Sequence, residues 1–253
     1  MCAVSYLNTV PLVWGMLHGP QRDIFDLSFE LPSACADRLA GGSADIGIVP
    51  VAQLLRQKLA IFRGAGIASR GAVRTILLVS KVPYAEIRTL AADAASRTSV
   101  LLARILLAQR YGVEPGIVAM PANLPAMLDR ADAALIIGDP ALRLEPRDLP
   151  FRSLDLGVEW NAWTGLPMVF AVWAGAKEVW SREREQVFVD SCRYGLAHLD
   201  DIVASEHAAR GVTPDLARRY LQKNVVLELG DAEYAGLDLF LQHAAQLEPQ
   251  VVG

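Results

Sequence analysis

The first twelve residues place short polar side chains at the junction between an expected strand and an expected helix. An apolar start runs into Ser5, Asn8 and Thr9, and Pro11 follows at a position typical of a first helical turn. Thr9 can cap that helix with its hydroxyl, and Pro11 lacks an N–H group that would be unpaired there in any case. Backbone N–H groups and polar side chains then point to one spot, as in sites that hold small anions. An ordinary capped turn is the equally simple interpretation of this stretch.

A second polar cluster, Ser96-Arg97-Thr98-Ser99, precedes a predicted amphipathic helix that ends near Tyr111. Its three hydroxyls, its guanidinium group and the backbone N–H groups of the helix start could together bind a carboxylate. The alternative is a well-capped helix start with a solvated arginine. The number of hydroxyl groups favours the binding interpretation.

Two predicted strands contain or precede glycines that could approach a ligand. Gly138 and Asp139 follow the buried strand Ala133–Ile137, and ligands of open parallel sheets collect beyond the carboxyl ends of the strands. Gly138 would let the backbone come close to a ligand, whereas Asp139 could equally cap the next turn. Gly47, within Asp45–Pro50, indicates close packing or a ligand, and packing is the more frequent cause.

Thr75 contributes a hydroxyl within the apolar segment Ala72–Ser80, where it either faces a cleft or bonds back to the backbone. No histidine, lysine or cysteine falls within any of these candidate loops, and there is no nucleophile elbow, Walker loop or GxGxxG after a strand. A reaction here would therefore depend on positioning, hydroxyl donors and electrostatics, with a base that the substrate itself could supply.

Composition limits the class of protein. The chain has 253 residues, of which 53% are hydrophobic and 21% charged, enough for one large domain or two smaller lobes. The net charge of −4, without a basic stripe, argues against a nucleic-acid partner. No window of about 18 uninterrupted apolar residues predicts a membrane span. The N-terminus has no basic segment followed by an apolar run, so we expect a cytoplasmic protein.

The cysteines and histidines predict neither a disulfide framework nor a metal site. Cys2, Cys35 and Cys192 are odd in number and far apart in the sequence. The chain has no CxxC, HxxxH or cysteine–histidine cluster. We therefore expect no metal and no cofactor.

The elements that must position the polar segments alternate between strands and helices. Strands are predicted at Leu27–Leu31 and Asp45–Val49 with a helix between them, which is typical of a largely parallel sheet covered by helices. The long segment Ala72–Ser80 has the pattern of a strand crossing between two lobes, and Met168–Trp173 would return the chain. From Glu178 onward the pattern is helical, and we expect these helices only to pack on the first lobe.

Five motifs occur in an order that is more specific than any one of them. They are SYLNTVPL from Ser5, DIGIVP from Asp45, SRTS from Ser96, IGD from Ile137 followed by Ala141-Leu142, and WTGLP from Trp163 followed by VFAVW from Val169. Together they resemble the chorismate dehydratases, the MqnA family of the futalosine route to menaquinone. The resemblance spans nearly the whole chain.

The resemblance implies an α/β fold like the type 2 periplasmic binding proteins, with two lobes and two crossing strands as the hinge. The first lobe would comprise residues 1–80 and 170–253, and the second lobe residues 81–169. This agrees with the separate prediction that Ala72–Ser80 and Met168–Trp173 are crossings.

The implied reaction removes water from chorismate, a dicarboxylate, to give 3-[(1-carboxyvinyl)oxy]benzoate. Loss of the ring C3 proton and the C4 hydroxyl makes the ring aromatic. The resemblance implies that Asn8 and Thr75 are catalytic and polarise the departing hydroxyl and steady the developing enolate. Thr75 stands where the family more usually has serine, and its extra methyl could slow turnover. The implied substrate-binding residues are Ser5, Ser96, Arg97, Thr98, Ser99, Gly138 and Asp139.

Two other functions stay open on the sequence. One is a non-catalytic small-anion binding protein of the same fold, and the other is a 1,4-dihydroxy-6-naphthoate synthase. The first and fifth motifs favour the dehydratase over the synthase. The fold alone does not distinguish an enzyme from a binding protein.

Overall fold

The computed structural model describes residues 1–93 and 96–247, which form an α/β protein. Its strands are β1 (Cys2–Val4), β2 (Ser28–Glu30), β3 (Ile46–Pro50), β4 (Ala60–Ser69), β5 (Ile76–Ser80), β6 (Thr89–Asp93), β7 (Gly116–Met120), β8 (Ala133–Ile137), β9 (Arg152–Asp155), β10 (Met168–Gly175) and β11 (Val226–Glu228). Its helices are α1 (Val10–His18), α2 (Pro32–Ala40), α3 (Arg97–Leu106), α4 (Leu124–Arg130), α5 (Gly138–Leu142), α6 (Leu156–Thr164), α7 (Arg182–Ala197), α8 (Leu199–Glu206), α9 (Pro214–Lys223) and α10 (Asp231–Leu247). Within the two described ranges, no helix has the length and apolar content needed to span a bilayer.

The strands form two mixed sheets, one for each lobe. The first has the order β11-β4-β10-β3-β1-β2 and the second has the order β7-β6-β8-β5-β9. β1 pairs parallel with β2 and β3, as the alternation of strands and helices predicts. In the first sheet the expectation of largely parallel pairing is wrong beyond these strands, whereas in the second sheet β6 pairs parallel with β7 and β8. The reason is that β10 returns from the second lobe and inserts antiparallel between β3 and β4.

The first predicted crossing, Ala72–Ser80, becomes a strand only at Ile76. Before that point the backbone is held by a side chain instead of a neighbouring strand. The Asp155 carboxylate accepts hydrogen bonds from the N–H groups of Val73 at 3.0 Å and Arg74 at 2.6 Å. Arg74 has a φ of 67°, a conformation that costs a non-glycine residue free energy and persists only where neighbours enforce it.

The second predicted crossing, Met168–Trp173, forms the beginning of β10, which lies entirely in the first sheet. Helix α6 leads into it from β9 of the second sheet. The chain therefore changes sheets between β4 and β5 and again between β9 and β10. The division into residues 1–80 with 170–253 and residues 81–169 stays a prediction.

Helix α7 fixes the position of α1, whose start adjoins the polar junction at Asn8. The Ser191 hydroxyl of α7 donates to the carbonyl of Leu12 at 2.8 Å. On the other side of α7, Phe188 stacks on Trp173 of β10 with ring centroids 4.7 Å apart. Both rings are fully buried, and burying a large apolar side chain contributes about 1.5–3 kcal/mol. The core of the first lobe thus holds Asn8 in place.

The cysteines are free and buried. Cys2 and Cys35 are distant in the sequence but neighbours in space, because β1 and α2 pack together and bring their Sγ atoms to 2.8 Å. The Cys35 thiol also donates to the carbonyl of Ala3. Burial and the neighbouring Cys2 thiol raise the pKa of Cys35. Cys35 therefore stays a neutral thiol in the core.

Asp132 joins β6 to β8 and makes a pH-dependent contribution to stability. Its Oδ2 atom accepts hydrogen bonds at 3.0 Å from the N–H groups of Arg88 and Thr89 and from the Thr89 hydroxyl. These bonds lower the pKa of Asp132, so its stabilising effect is present above the unfolded-state pKa and is lost as pH falls through the folded-state pKa. We expect Asp132→Asn to reduce the free energy of unfolding by about 1 kcal/mol at pH 7.

Urea unfolding at several pH values checks this expectation. The difference between wild type and Asp132→Asn should be constant between pH 6 and about pH 5 and should narrow as pH falls toward 3, below the ordinary aspartate pKa of 3.8. Asp148→Asn, at an exposed position, is the matched control and should unfold like wild type. A difference that stays constant over this pH range would show that the charge on Asp132 is not its source.

Candidate active site

A cavity lies between the two sheets and encloses about 550 Å³ of empty space, solvent at its mouth included. Strands β1, β3, β4 and β10 line one side, and β5 and β8 line the other. The polar side chains on its wall are Tyr6, Asn8, Thr75, Ser96, Thr98 and Ser99. A ligand here would contact both lobes.

The two residues predicted to be catalytic meet at the hydroxyl of a third residue, Tyr220. Asn8 lies in the short 3₁₀ helix Leu7–Thr9 after β1, and Thr75 lies immediately before β5. The Thr75 Oγ1 and Tyr220 Oη atoms are 3.0 Å apart, and the Asn8 side chain is close enough to the same hydroxyl to influence its pKa. Burial raises the pKa of Tyr220, so its hydroxyl keeps its proton. The arrangement is a small network of neutral donors and acceptors.

The start of α3 brings three of the predicted binding residues to the cavity wall. Ser96, Thr98 and Ser99 line it and are almost completely buried. The Thr98 hydroxyl donates to the carbonyl of Phe170 and accepts from the N–H group of Ala52, both at 3.2 Å. Thr98 therefore joins the second lobe to the first. Ser96 and Ser99 are the better candidates to contact a ligand.

Arg97 does not line the cavity, in contrast to Ser96, Thr98 and Ser99 of the same motif. Its guanidinium donates to Gln53 Oε1 at 2.7 Å and to Asp37 Oδ1 at 2.5 Å. Successive side chains on a helix point about 100° apart, so one residue of a run can face away while the others face inward. The prediction that Arg97 holds a substrate carboxylate is therefore not supported by its position, which instead connects α3 with α2.

Ser5 and Asp139 lie at the junction of the lobes and do not line the cavity. Asp139 Oδ1 accepts from the N–H group of Leu7 at 3.1 Å, and its Oδ2 accepts from Arg210 Nη1 at 2.6 Å. The carbonyl of Ser5, an exposed residue, accepts from the same Arg210 nitrogen at 2.8 Å. Asp139 is neither in contact with the cavity nor the side-chain cap of α5, because its oxygens are used between the lobes.

Gly138 does line the cavity, next to Asp139. Its φ is +63°, and an added Cβ would lie 2.6 Å from the ring of Tyr6. The absence of a side chain is therefore required for the close approach of the two lobes at this point. Burial, and the carboxylates of Asp93 and Asp139, raise the pKa of Tyr6, so it is a neutral hydroxyl in the cavity wall.

The electrostatics of the cavity favour an anion. Helix α2 starts at Pro32 in its wall, α3 starts immediately after Ser96, and α1 starts two residues after Asn8. Helix N-termini carry a partial positive charge and present N–H groups that suit carboxylates. Among the lining residues that the structure describes, none is Asp, Glu, His, Lys, Arg or Cys. The described ranges also contain no cluster of three or more side chains suited to a metal ion.

Sequence reasoning missed Tyr220 and Arg210, which the C-terminal region brings to the site. We expected these helices only to pack on the first lobe. Tyr220 occupies a buried position of the amphipathic helix α9, where an aromatic residue is normal in a core. Arg210 also bonds to Glu206 one helical turn away, an ordinary surface pair by its spacing. Neither residue therefore carried a signal of its role in the sequence.

The ion pair between Arg210 and Asp139 should contribute more to the free energy of unfolding than an exposed ion pair does. Their side chains are 15% and 12% exposed, whereas those of Arg193 and Glu228 are 62% and 51% exposed. We expect Arg210→Ala to lower the free energy of unfolding by about 2–3 kcal/mol, because it leaves Asp139 largely buried without its cation.

Arg193→Ala, the matched control, should cost less than about 0.5 kcal/mol. Denaturant titration of the two variants provides the comparison. Equal losses in both would mean that the pair between the lobes adds nothing beyond a surface contact.

Comparison with known proteins adds a family and a fold. A protein family described as "Menaquinone biosynthesis" matches residues 1–246. A chorismate dehydratase of Thermus thermophilus is 27% identical over 255 residues, which cover 94% of this chain and 92% of that protein.

Two solved structures resemble the whole chain. A protein of Archaeoglobus fulgidus has a TM-score of 0.75 at 18% identity and covers 97% of this chain and 96% of its own. The periplasmic aliphatic sulphonate binding protein of Escherichia coli has a TM-score of 0.67 at 14% identity, covering 99% and 87%. At such identities the likeness concerns the fold alone, and it confirms the predicted two-lobed fold of periplasmic-binding-protein type.

Proposed function

Because the chain belongs to the menaquinone-biosynthesis family that matches residues 1–246, we propose that it acts as a chorismate dehydratase. The relative of that name in Thermus thermophilus supports the proposal. The observation that carries it is the pair Asn8 and Thr75 on the wall of a cavity at which three helices begin, with the Tyr220 hydroxyl behind them. The product would be 3-[(1-carboxyvinyl)oxy]benzoate, and the proposal places the reaction in the cytoplasm.

The cavity suits a substrate with two carboxylates. Helices α1 and α2 of the first lobe and α3 of the second direct their N-termini toward it, so each lobe could receive one carboxylate. The hydroxyls of Ser96 and Ser99 and the close backbone at Gly138 would add hydrogen-bond donors. In this proposal Arg97, Thr98 and Asp139 hold the lobes together, and the helix starts bind the anion.

The chemistry is an elimination that needs little from the protein beyond positioning. The C3–H bond breaks, its electron pair forms a ring double bond, and the C4–O bond breaks to release hydroxide. The enolpyruvyl carboxylate of the substrate accepts the proton, which leaves with the hydroxide as water. Asn8 and Thr75 donate hydrogen bonds to the departing oxygen and to the charge that develops on the substrate.

An internal base is consistent with the residues around the cavity. The described part of its wall contains hydroxyls and one amide but no carboxylate, imidazole, amine or thiol. Burial and neighbouring carboxylates raise the pKa of Tyr6, so this hydroxyl is a donor and not a base. Formation of the aromatic ring provides the driving force that a weak carboxylate base requires.

The test is to incubate the purified chain with chorismate and separate the products by chromatography. The proposal expects chorismate to disappear with formation of one equivalent of the carboxyvinyloxy-benzoate. Calorimetry with the same sample measures binding. Tight binding with unchanged chorismate would favour a non-catalytic binding protein of this fold. If the protein neither bound chorismate nor converted it, chorismate would be excluded as the ligand.

A further inference from the structure

We propose that Tyr220 is a positioning residue that holds Asn8 and Thr75 together and directs the proton of the Thr75 hydroxyl into the cavity. This inference rests on the proposed function and adds a residue that none of the five sequence motifs contains. Tyr220 does not line the cavity itself. It acts on the substrate through the two residues that do.

The geometry makes Tyr220 the common partner of two segments that are far apart in the chain. Its side chain comes from α9, is 1% exposed, and reaches the point where β1 ends and β5 begins. There its Oη atom is 3.0 Å from Thr75 Oγ1, and the side chain of Asn8 lies beside it. A buried hydroxyl with two such partners fixes the separation between the amide and the threonine hydroxyl.

Either hydroxyl could donate in the bond between Tyr220 and Thr75, and we assign the donation to Tyr220. A tyrosine hydroxyl donates once, and a threonine hydroxyl also has a single proton. If Tyr220 donates to Thr75 Oγ1, the threonine proton is left for the Val73 carbonyl at 3.3 Å or for a ligand. That bond to Val73 is long, so a substrate hydroxyl in the cavity can replace it. A threonine that accepts one hydrogen bond is also the stronger donor of another.

The surroundings of Tyr220 keep its proton in place. Burial raises its pKa, and the carboxylates of Asp139 on α5 and Asp155 before α6 add to the effect, while the bonds to Thr75 and Asn8 oppose it. A phenol held neutral is a permanent donor at physiological pH. The role proposed here needs that donor and no proton transfer from it.

The first test is Tyr220→Phe, which removes the hydroxyl and keeps the ring in the core. We expect kcat for chorismate dehydration to fall about 10–100-fold with KM changed less than about threefold, since the lost bond orients a donor and does not bind the ground state. Tyr234→Phe is the matched control. Tyr234 is also buried, but its hydroxyl accepts from the N–H group of Gly64 at 2.8 Å, and Gly64 does not line the cavity. Its kcat should match wild type.

A double-mutant cycle separates positioning from a general structural effect. In a Thr75→Val background the hydroxyl that Tyr220 orients is absent, so adding Tyr220→Phe should cost less than about threefold further. Full additivity of the two losses, or wild-type kcat in Tyr220→Phe, would overturn the inference.

The activity of the wild-type protein in the same assay distinguishes a failure of the proposed function from a failure of this inference. Wild-type inactivity toward chorismate contradicts the proposed function and this inference with it, whereas an active wild type beside an unaffected Tyr220→Phe contradicts this inference alone.

A second variant covers the case in which Tyr220→Phe does not fold. Trifluorotyrosine incorporated at position 220 keeps the ring and the hydroxyl but makes the phenol more acidic. Once that phenol is ionised it accepts the Thr75 proton and no longer donates. The pH profile of kcat should then fall at high pH where that of the unmodified protein does not. Identical profiles would count against the inference.

Discussion

Asn8→Ala is expected to lower kcat for chorismate dehydration by about 10²–10³-fold and to leave KM nearly unchanged. Removal of one well-placed donor to a developing negative charge typically has an effect of that size. Asn8 lines the cavity, and its side chain lies beside the Tyr220 hydroxyl, which limits the orientations of the amide. Steady-state kinetics on chorismate, with the product separated by chromatography, measure the effect.

Asn123→Ala is the matched control for this variant. This variant also loses a side-chain amide. The Asn123 side chain lies away from the cavity and caps α4 by accepting from the N–H group of Ala126 at 3.0 Å. The loss of a cap costs about 1 kcal/mol of stability and should not change kcat. If Asn8→Ala retained more than a third of the wild-type kcat, Asn8 would not be a catalytic residue.

Gly195→Ala is expected to destabilise the first lobe by about 3 kcal/mol, near the upper end of the cost of overpacking. Gly195 lies on α7 against α1, where an added Cβ would be 2.0 Å from the carbonyl oxygen of Pro11. A backbone oxygen cannot rotate away, so the two helices must separate. For a chain of this size the loss corresponds to a melting temperature lowered by roughly 10 °C.

Thermal unfolding of Gly195→Ala beside Gly116→Ala tests whether overpacking between α1 and α7 causes the destabilisation. At Gly116, an added Cβ would meet nothing nearer than the carbonyl oxygen of Arg88 at 3.8 Å. That control should melt within a few degrees of wild type. A small loss in Gly195→Ala would mean that α1 and α7 adjust without cost. A large loss should also reduce turnover, because α1 begins next to Asn8.

Local sequence patterns were sufficient for most of the elements. Strands at Ser28–Glu30, Ile46–Pro50 and Ala133–Ile137 follow apolar runs bounded by turn residues, and helix α2 lies between the first two of them, as predicted. Such signals depend only on residues that are neighbours in the chain, so they can be recognised in a single sequence. The short strand Val226–Glu228 was not predicted, because it is an edge strand of three residues within a helical region.

The sequence did not predict which way each side chain of a correctly placed motif points. Ser96, Thr98 and Ser99 face the cavity, whereas Arg97 between them contacts Gln53 and Asp37. Which side of a helix start faces inward depends on how α3 is docked against the other lobe. The same holds for Asp139, whose predicted ligand contact is replaced by contacts with Leu7 and Arg210.

The sequence by itself determined the family, the two-lobed fold and the segments that meet at the cavity, because these depend on local patterns and on motifs in a recognisable order. Only the tertiary structure decided which atoms meet. It brought the Tyr220 hydroxyl to Asn8 and Thr75 and placed Arg210 between the lobes. Contacts between residues so far apart in the chain arise from the packing of whole helices and sheets, and no local pattern encodes them.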